Sequence, residues 1–169
     1  MQKVYEVLAA LLITTSSYAQ SPPNEGPSEL SDMFYQAETY RITGRSDLAK
    51  EAYTKILQDN PTHETALYQL ARLLFLEKTY FEAEELLKEG TENYPYNEWM
   101  WRLQAQNAEQ IGNTPIVLIS FERLVELRPH KHEYIQDALQ SALFLKETEK
   151  ALKFLDLLEK LLGNGPEHV

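Results

Sequence analysis

The chain has 169 residues, of which 43% are apolar and 25% charged, enough for one globular domain and too few for two sizeable cores. Asp and Glu number 26 against 16 Lys and Arg, and the resulting charge of −10 disfavours a phosphate backbone as partner, so nucleic acid is set aside. Cysteine is absent, which removes disulfides, thiolate nucleophiles, Cys-ligated zinc and iron–sulfur clusters together.

Met1-Gln2-Lys3 precedes the apolar run Val7-Leu8-Ala9-Ala10-Leu11-Leu12-Ile13, and a small, polar stretch ending in Ser17-Tyr18-Ala19 follows it. That three-part order is the layout of a secretory signal peptide over residues 1–19. Ser17 and Ala19, small residues with one between them, place cleavage after Ala19 and make Gln20 the first residue of an exported chain, periplasmic or secreted. The run is too short to span a bilayer. The other reading of this segment is an N-terminal helix packed on the domain, or a retained anchor. Residues 20–29 hold three prolines and a glycine and predict a linker through which no helix or ladder runs.

From residue 30 the pattern recurs. Pro61, Pro95 and Pro129 are spaced by 34 residues, and one more step reaches Gly163. Each period holds an apolar-periodic segment, a polar break at Gly44, Lys78, Gly112 or Lys146, and a second apolar-periodic segment, which predicts two helices joined by a turn. The units fall at 30–63, 64–97, 98–131 and 132–163, with a tail at 164–169. Gly44 and Gly112 suit the left-handed residue that ends a helix. Thr79 with Glu82 predicts a capping box, and Pro115 after Thr114 sits where its missing N–H costs nothing.

A helix pair of this period resembles the tetratricopeptide repeat, whose pattern runs W-x2-L-G-x2-Y, then A-x3-F, then P. The first unit supplies Met33, Gln36, Ala37, Tyr40, Ala49, Tyr53 and Pro61, and the second Leu67, Leu70, Ala71, Leu74, Ala83, Leu87 and Pro95. The third keeps Trp101, Ala105, Phe121 and Pro129, with Gln104, Ala108 and Val117 replacing the usual Leu, Tyr and Ala. The fourth reads Ile135, Ala138, Leu139, Ala142, Ala151, Leu155 and Gly163, where Leu139 is larger than its place usually takes. The resemblance implies an all-α fold, a right-handed α-solenoid of four helix–turn–helix units whose first helices line a concave groove. Ala37, Ala71 and Ala105 would then admit close approach of paired helices, with Tyr53, Leu87, Phe121 and Leu155 filling the space between.

Motifs for chemistry are few. His63, His130, His132 and His168 fall in predicted turns or the tail, and His130 and His132 neither share a helix face nor have an acidic frame, so no metal is expected. Glu82, Glu84, Glu85 and Glu89 beside Lys88 read as a solvated face. No nucleophile elbow, glycine-rich phosphate loop or zinc-hydrolase motif occurs, so no catalytic residue and no cofactor is expected.

The groove carries more information. In tetratricopeptide folds the inward residues of each first helix recur at i, i+3, i+4 and i+7, which implies Ser31, Phe34, Tyr35 and Glu38 here, then Thr65, Tyr68, Gln69, Arg72 and Phe75, then Trp99, Arg102, Leu103 and Gln106, then Glu133, Gln136, Asp137 and Gln140. Phe34 and Phe75 suit packing on a neighbouring repeat equally well. Tyr, Trp and Arg concentrate energy at interfaces, which makes a segment of another protein the expected occupant. Some tetratricopeptide repeats grip a chaperone tail through Lys, Asn and Arg at places held here by Phe34, Glu38, Gln69, Trp99 and Leu103, so that function does not carry over. On the last helix Ala151, Phe154, Leu155, Leu158, Leu161 and Leu162 form the inward stripe, with Leu152 and Leu157 outside it or at its edge. Leu152, Leu157 and Leu161 are therefore a candidate end interface, for a partner or for a second copy in a homodimer. The reading is a non-catalytic exported adaptor; the alternative is a structural subunit that self-associates through its solenoid ends.

Overall fold

A computed structural model describes residues 29–163; the expected signal peptide, the linker up to residue 28 and the tail at 164–169 lie outside the described residues. The described residues form eight helices and no strand. They are α1 (Glu29–Ile42), α2 (Ser46–Asp59), α3 (Glu64–Leu76), α4 (Tyr80–Asn93), α5 (Glu98–Ile111), α6 (Thr114–Leu127), α7 (His132–Phe144) and α8 (Thr148–Gly163). Of the described residues, 33–163 belong to one compact unit, and residues 29–32, the first turn of α1, are all that is described of the other. From α2 on, each helix packs on the next, and α3 also meets α5, the first helix of the following pair. This neighbour-only order is that of an α-solenoid built from helix–turn–helix pairs.

The turns inside the pairs share one backbone solution. Gly44 and Gly112 have φ of 74° and 71°, as their residue type predicts, and Lys78 and Lys146 take the same conformation at 64° and 60°. The break therefore needs a left-handed residue in every pair, glycine or not. Helix starts are less uniform. Thr79 makes no cap; its hydroxyl donates back to the Leu74 carbonyl at 3.0 Å, so the expected capping box with Glu82 does not form. Asn113, not Thr114, caps α6 and accepts from the Ile116 N–H, with Pro115 in the first turn as anticipated.

Ala37, Ala71 and Ala105 are enclosed, and Tyr53, Leu87 and Phe121 are buried with them. Gln104, a polar residue in an apolar place, accepts from the Ser120 hydroxyl at 3.1 Å, which satisfies both groups inside the third pair. In the fourth pair Leu139 is half-buried, and Ala138 and Ala142 are the fully enclosed small residues.

The last helix departs from the expected stripe. Ala151 and Phe154 are buried and Leu157, Leu158 and Leu161 pack partly on the core, but Leu155 is 44% and Leu162 75% exposed. The cause is the end of the stack: α2, α4 and α6 each have the first helix of the next pair against them, and among the described residues nothing follows α8. Leu157, placed outside or at the edge of the stripe by the wheel, turns toward the core instead.

Candidate functional site

Two capped helix starts set the groove. His63 Nδ1 accepts from the Ala66 N–H at 3.2 Å at the head of α3, and Asn97 Oδ1 accepts from the Met100 N–H at 3.1 Å at the head of α5. The Asn97 amide also donates to Glu64 at 2.7 Å, tying the two starts together. One turn further in, Tyr68, Arg72 and Phe75 of α3 and Trp99, Arg102 and Gln106 of α5 line one recess of about 230 Å3, which Leu76 and Leu103 complete. A wider recess of about 570 Å3 continues from it toward the helix starts, sharing Tyr68, Arg72 and Trp99 and adding Glu64, Thr65, Gln69 and Asn97. Six residues picked out by spacing are thus brought together on two helices.

Trp99 is 61% exposed, and the Arg102 guanidinium lies 5.1 Å from its ring centroid, a cation–π stack at the mouth of the recess. Phe75 is half-buried and also meets the Tyr80 ring at 5.7 Å, so it both lines the recess and packs on the second helix of its own pair. Neither Arg72 nor Arg102 has an ion-pair partner among the described residues. The Gln69 Oε1 atom is enclosed without a hydrogen-bond donor.

Carboxyls flank this centre on both sides. In α1, Glu38 accepts from Arg41 at 2.6 Å and from the Tyr53 hydroxyl. Burial raises its pKa, but those two hydrogen bonds together with the charges of Arg41 and Arg72 outweigh burial and hold the carboxyl below its usual range. Glu98 is held low by hydrogen bonds from Tyr134 and Arg128. Further along, Glu109 of α5 is pushed up by burial and by Asp137, and Asp137 of α7 by burial and by Glu133. Spacing had placed Glu133 and Asp137 on the inward face; Glu109 escaped it, and its signal was that it stands one period after Phe75.

The remaining candidates lie apart. Tyr35 is 66% exposed on α1 and sits edge-on to Phe34, whose ring packs 5.5 Å from His63. Gln136 and Gln140 are exposed on α7 and line neither recess. At the end of the stack Leu152 is 61% exposed, whereas Leu157 and Leu161 are half-buried against the core.

The order of the helices, the 34-residue period and the left-handed breaks agree with one kind of repeat. Residues 42–106 match the tetratricopeptide repeat family. Solved structures agree on the tetratricopeptide-like solenoid. A MamA structure designated AMB-1 superposes with a TM-score of 0.68 at 19% identity, covering 82% of this chain and 76% of that one. A second MamA crystal structure gives 0.65 at 16% identity over 79% and 73%, and the MamA RS-1 ArsTM double mutant gives 0.64 at 16% over 83% and 79%. At these identities the likeness is one of fold. No curated protein matches the chain. The described residues contain no group of three His, Asp or Glu placed to hold a metal ion, and no helix long and apolar enough to cross a membrane.

Proposed function

We propose that this chain is a non-catalytic, exported scaffold that holds a segment of a partner protein in the groove between its first helices. The observation that carries the reading is the meeting of Tyr68, Arg72, Trp99 and Arg102 around one recess, with the Trp99 indole mostly in water. An exposed indole under a guanidinium does little for folding, and Trp, Tyr and Arg around a concave surface are the composition of an interface hot spot. The repeat architecture supports this, since stacked helix pairs present one continuous surface. Export rests on residues 1–19.

The test takes the partner captured by the wild-type chain from an envelope fraction. Tyr68→Ala, Arg72→Ala and Trp99→Ala should each weaken that capture by about 1–3 kcal/mol with helicity unchanged. Unaltered capture by all three places the contact elsewhere and ends the groove reading. For export, the intact mass of the extracellular or periplasmic pool should lack the first nineteen residues; full-length chain found only in the cytosol rejects it.

A second reading, self-association through the end of the stack, is favoured by Leu152, Leu155 and Leu162, all exposed on α8. Leu157 packs on the core, so the informative variant is Leu152→Glu with Leu162→Glu. Light scattering that shows a wild-type dimer and a variant monomer of equal thermal stability supports it; a wild-type monomer removes it.

A further inference from the structure

Arg72 and Arg102 are two cations that a chain of net charge −10 leaves without a carboxylate. The acids around them are already engaged. Glu38, whose charge reaches Arg72, accepts from Arg41 and Tyr53, and Glu98 accepts from Arg128 and Tyr134. Both guanidiniums line the same recess, against apolar walls from Tyr68, Phe75 and Trp99. An arginine with no internal partner keeps its planar fork free for an incoming carboxylate.

One repeat further on, the polarity reverses. The 34-residue step carries Phe75 onto Glu109, Leu103 onto Asp137 and Trp99 onto Glu133, so walls that are apolar between α3 and α5 are carboxyls between α5 and α7. The cations do not recur: Arg72 becomes Gln106 and Arg102 becomes Gln136. Glu109 and Asp137 have no Lys or Arg partner among the described residues, and Glu133 has only His132 at 3.6 Å. Their raised proton affinity, caused by burial and by a neighbouring acid in each case, Asp137 for Glu109 and Glu133 for Asp137, is what unneutralised neighbours show.

The geometry points to an extended segment whose acidic residue, beside an aromatic or aliphatic one, sits between Arg72 and Arg102, while a Lys or Arg about three positions along meets Glu109 and Asp137. This rests on the groove reading above and adds the charge order of the occupant. The spacing follows because Arg102 and Glu109 stand seven residues apart on α5, about 10 Å along its axis, and an extended chain advances about 3.3 Å per residue. A uniformly acidic segment is repelled at the second place. A uniformly basic one is repelled at the first, although the net charge alone would attract it.

The full chain is titrated against fluorescein-labelled twelve-residue peptides, read by anisotropy. All share one neutral frame with a Phe. The mixed peptide has Glu beside Phe and Lys three positions along, made in both chain directions; its relatives carry Gln for Glu, Gln for Lys, Glu at both places, or Lys at both. The mixed peptide should bind about tenfold more tightly than its Gln-for-Glu relative, and Arg72→Gln or Arg102→Gln should remove most of that difference. Glu109→Gln with Asp137→Asn should abolish the advantage of Lys over Gln. If the peptides bind alike, or the basic one leads in wild type and in the Arg variants, the charge order is wrong; the groove reading survives this where Trp99→Ala still weakens binding. If no peptide binds, both fall.

Discussion

The Tyr53 hydroxyl donates to the Glu38 carboxylate across the first helix pair, and the other oxygen of that carboxylate accepts from Arg41 at 2.6 Å. Burial opposes ionisation of Glu38, and the two donors with the charges of Arg41 and Arg72 together overcome it, so the folded carboxyl titrates below its ordinary 4.5. With the folded pKa depressed, the stability from Glu38 is present above the unfolded pKa and is lost as pH falls through the folded one. Tyr53→Phe removes a donor and should cost about 1 kcal/mol at neutral pH. It should also flatten the acid limb. Urea melts of both proteins between pH 7 and 3 check this; parallel curves would show that the bond contributes nothing.

Glu109 and Asp137 carry the opposite sign. Burial raises both, and each has a neighbouring acid that raises it further, Asp137 for Glu109 and Glu133 for Asp137. The folded state therefore holds these protons more tightly than the unfolded chain. The stability linked to them is full below the unfolded values of 4.5 and 3.8 and is lost as pH rises through the raised folded ones. Glu109→Gln and Asp137→Asn should raise Tm at pH 7, and the gain should shrink toward pH 4. A lower Tm for both at pH 7 would overturn the assignment.

What could be read in the sequence followed from periodicity, and what could not followed from local competition and from the end of the stack. The 34-residue step placed Tyr68, Arg72, Phe75, Trp99, Arg102 and Gln106 on facing helices, and they do line one recess. Tyr35 obeyed the same spacing yet stands outside it, next to Phe34, whose ring engages His63. Thr79 has the residue type of a cap, but the Leu74 carbonyl takes its hydroxyl first. Leu155 sits in the register of Tyr53, Leu87 and Phe121, and is exposed because a buried register position needs a next helix to bury it. Asp137 stood on the inward face by the same spacing, whereas Glu109 was visible only by comparing residues one period apart.

Lys78 and Lys146 hold the left-handed conformation that glycine supplies at Gly44 and Gly112. For a residue with a Cβ that conformation costs about 1–2 kcal/mol, partly offset by the lower entropy of the unfolded chain. Lys78→Gly and Lys146→Gly should each stabilise by about 0.5–1 kcal/mol. Gly44→Ala should destabilise by a similar amount, and for conformational reasons alone, since a Cβ there meets nothing within 4 Å. Denaturant midpoints of the three variants decide it. A loss of stability in both Lys variants would mean that the lysine side chains supply more than their backbone strain takes away.

Gly90 of α4 lies against Met100 of α5 so closely that a Cβ on Gly90 would stand 2.7 Å from the Met100 sulfur and 3.1 Å from its Cγ. One period earlier the same two places hold Ile56 and Ala66, with large and small exchanged. A small residue thus stands with a large one at these two junctions, whereas one period later both places are large, Leu124 and Tyr134. Gly90→Ala gains about 1 kcal/mol of helix propensity, but Met100 is fully buried, and displacing a packed side chain costs about 1–3 kcal/mol. The variant should be less stable than wild type by about 1 kcal/mol. Met100→Ala alone opens a cavity worth about 2–5 kcal/mol. In the double variant the new methyl enters space that Met100 has left, so its loss should fall short of the summed single losses by about 1 kcal/mol or more. Urea unfolding of the four proteins gives this coupling directly. Additive losses would mean that Met100 swings aside freely and that the absent side chain at Gly90 is not what lets α4 and α5 pack.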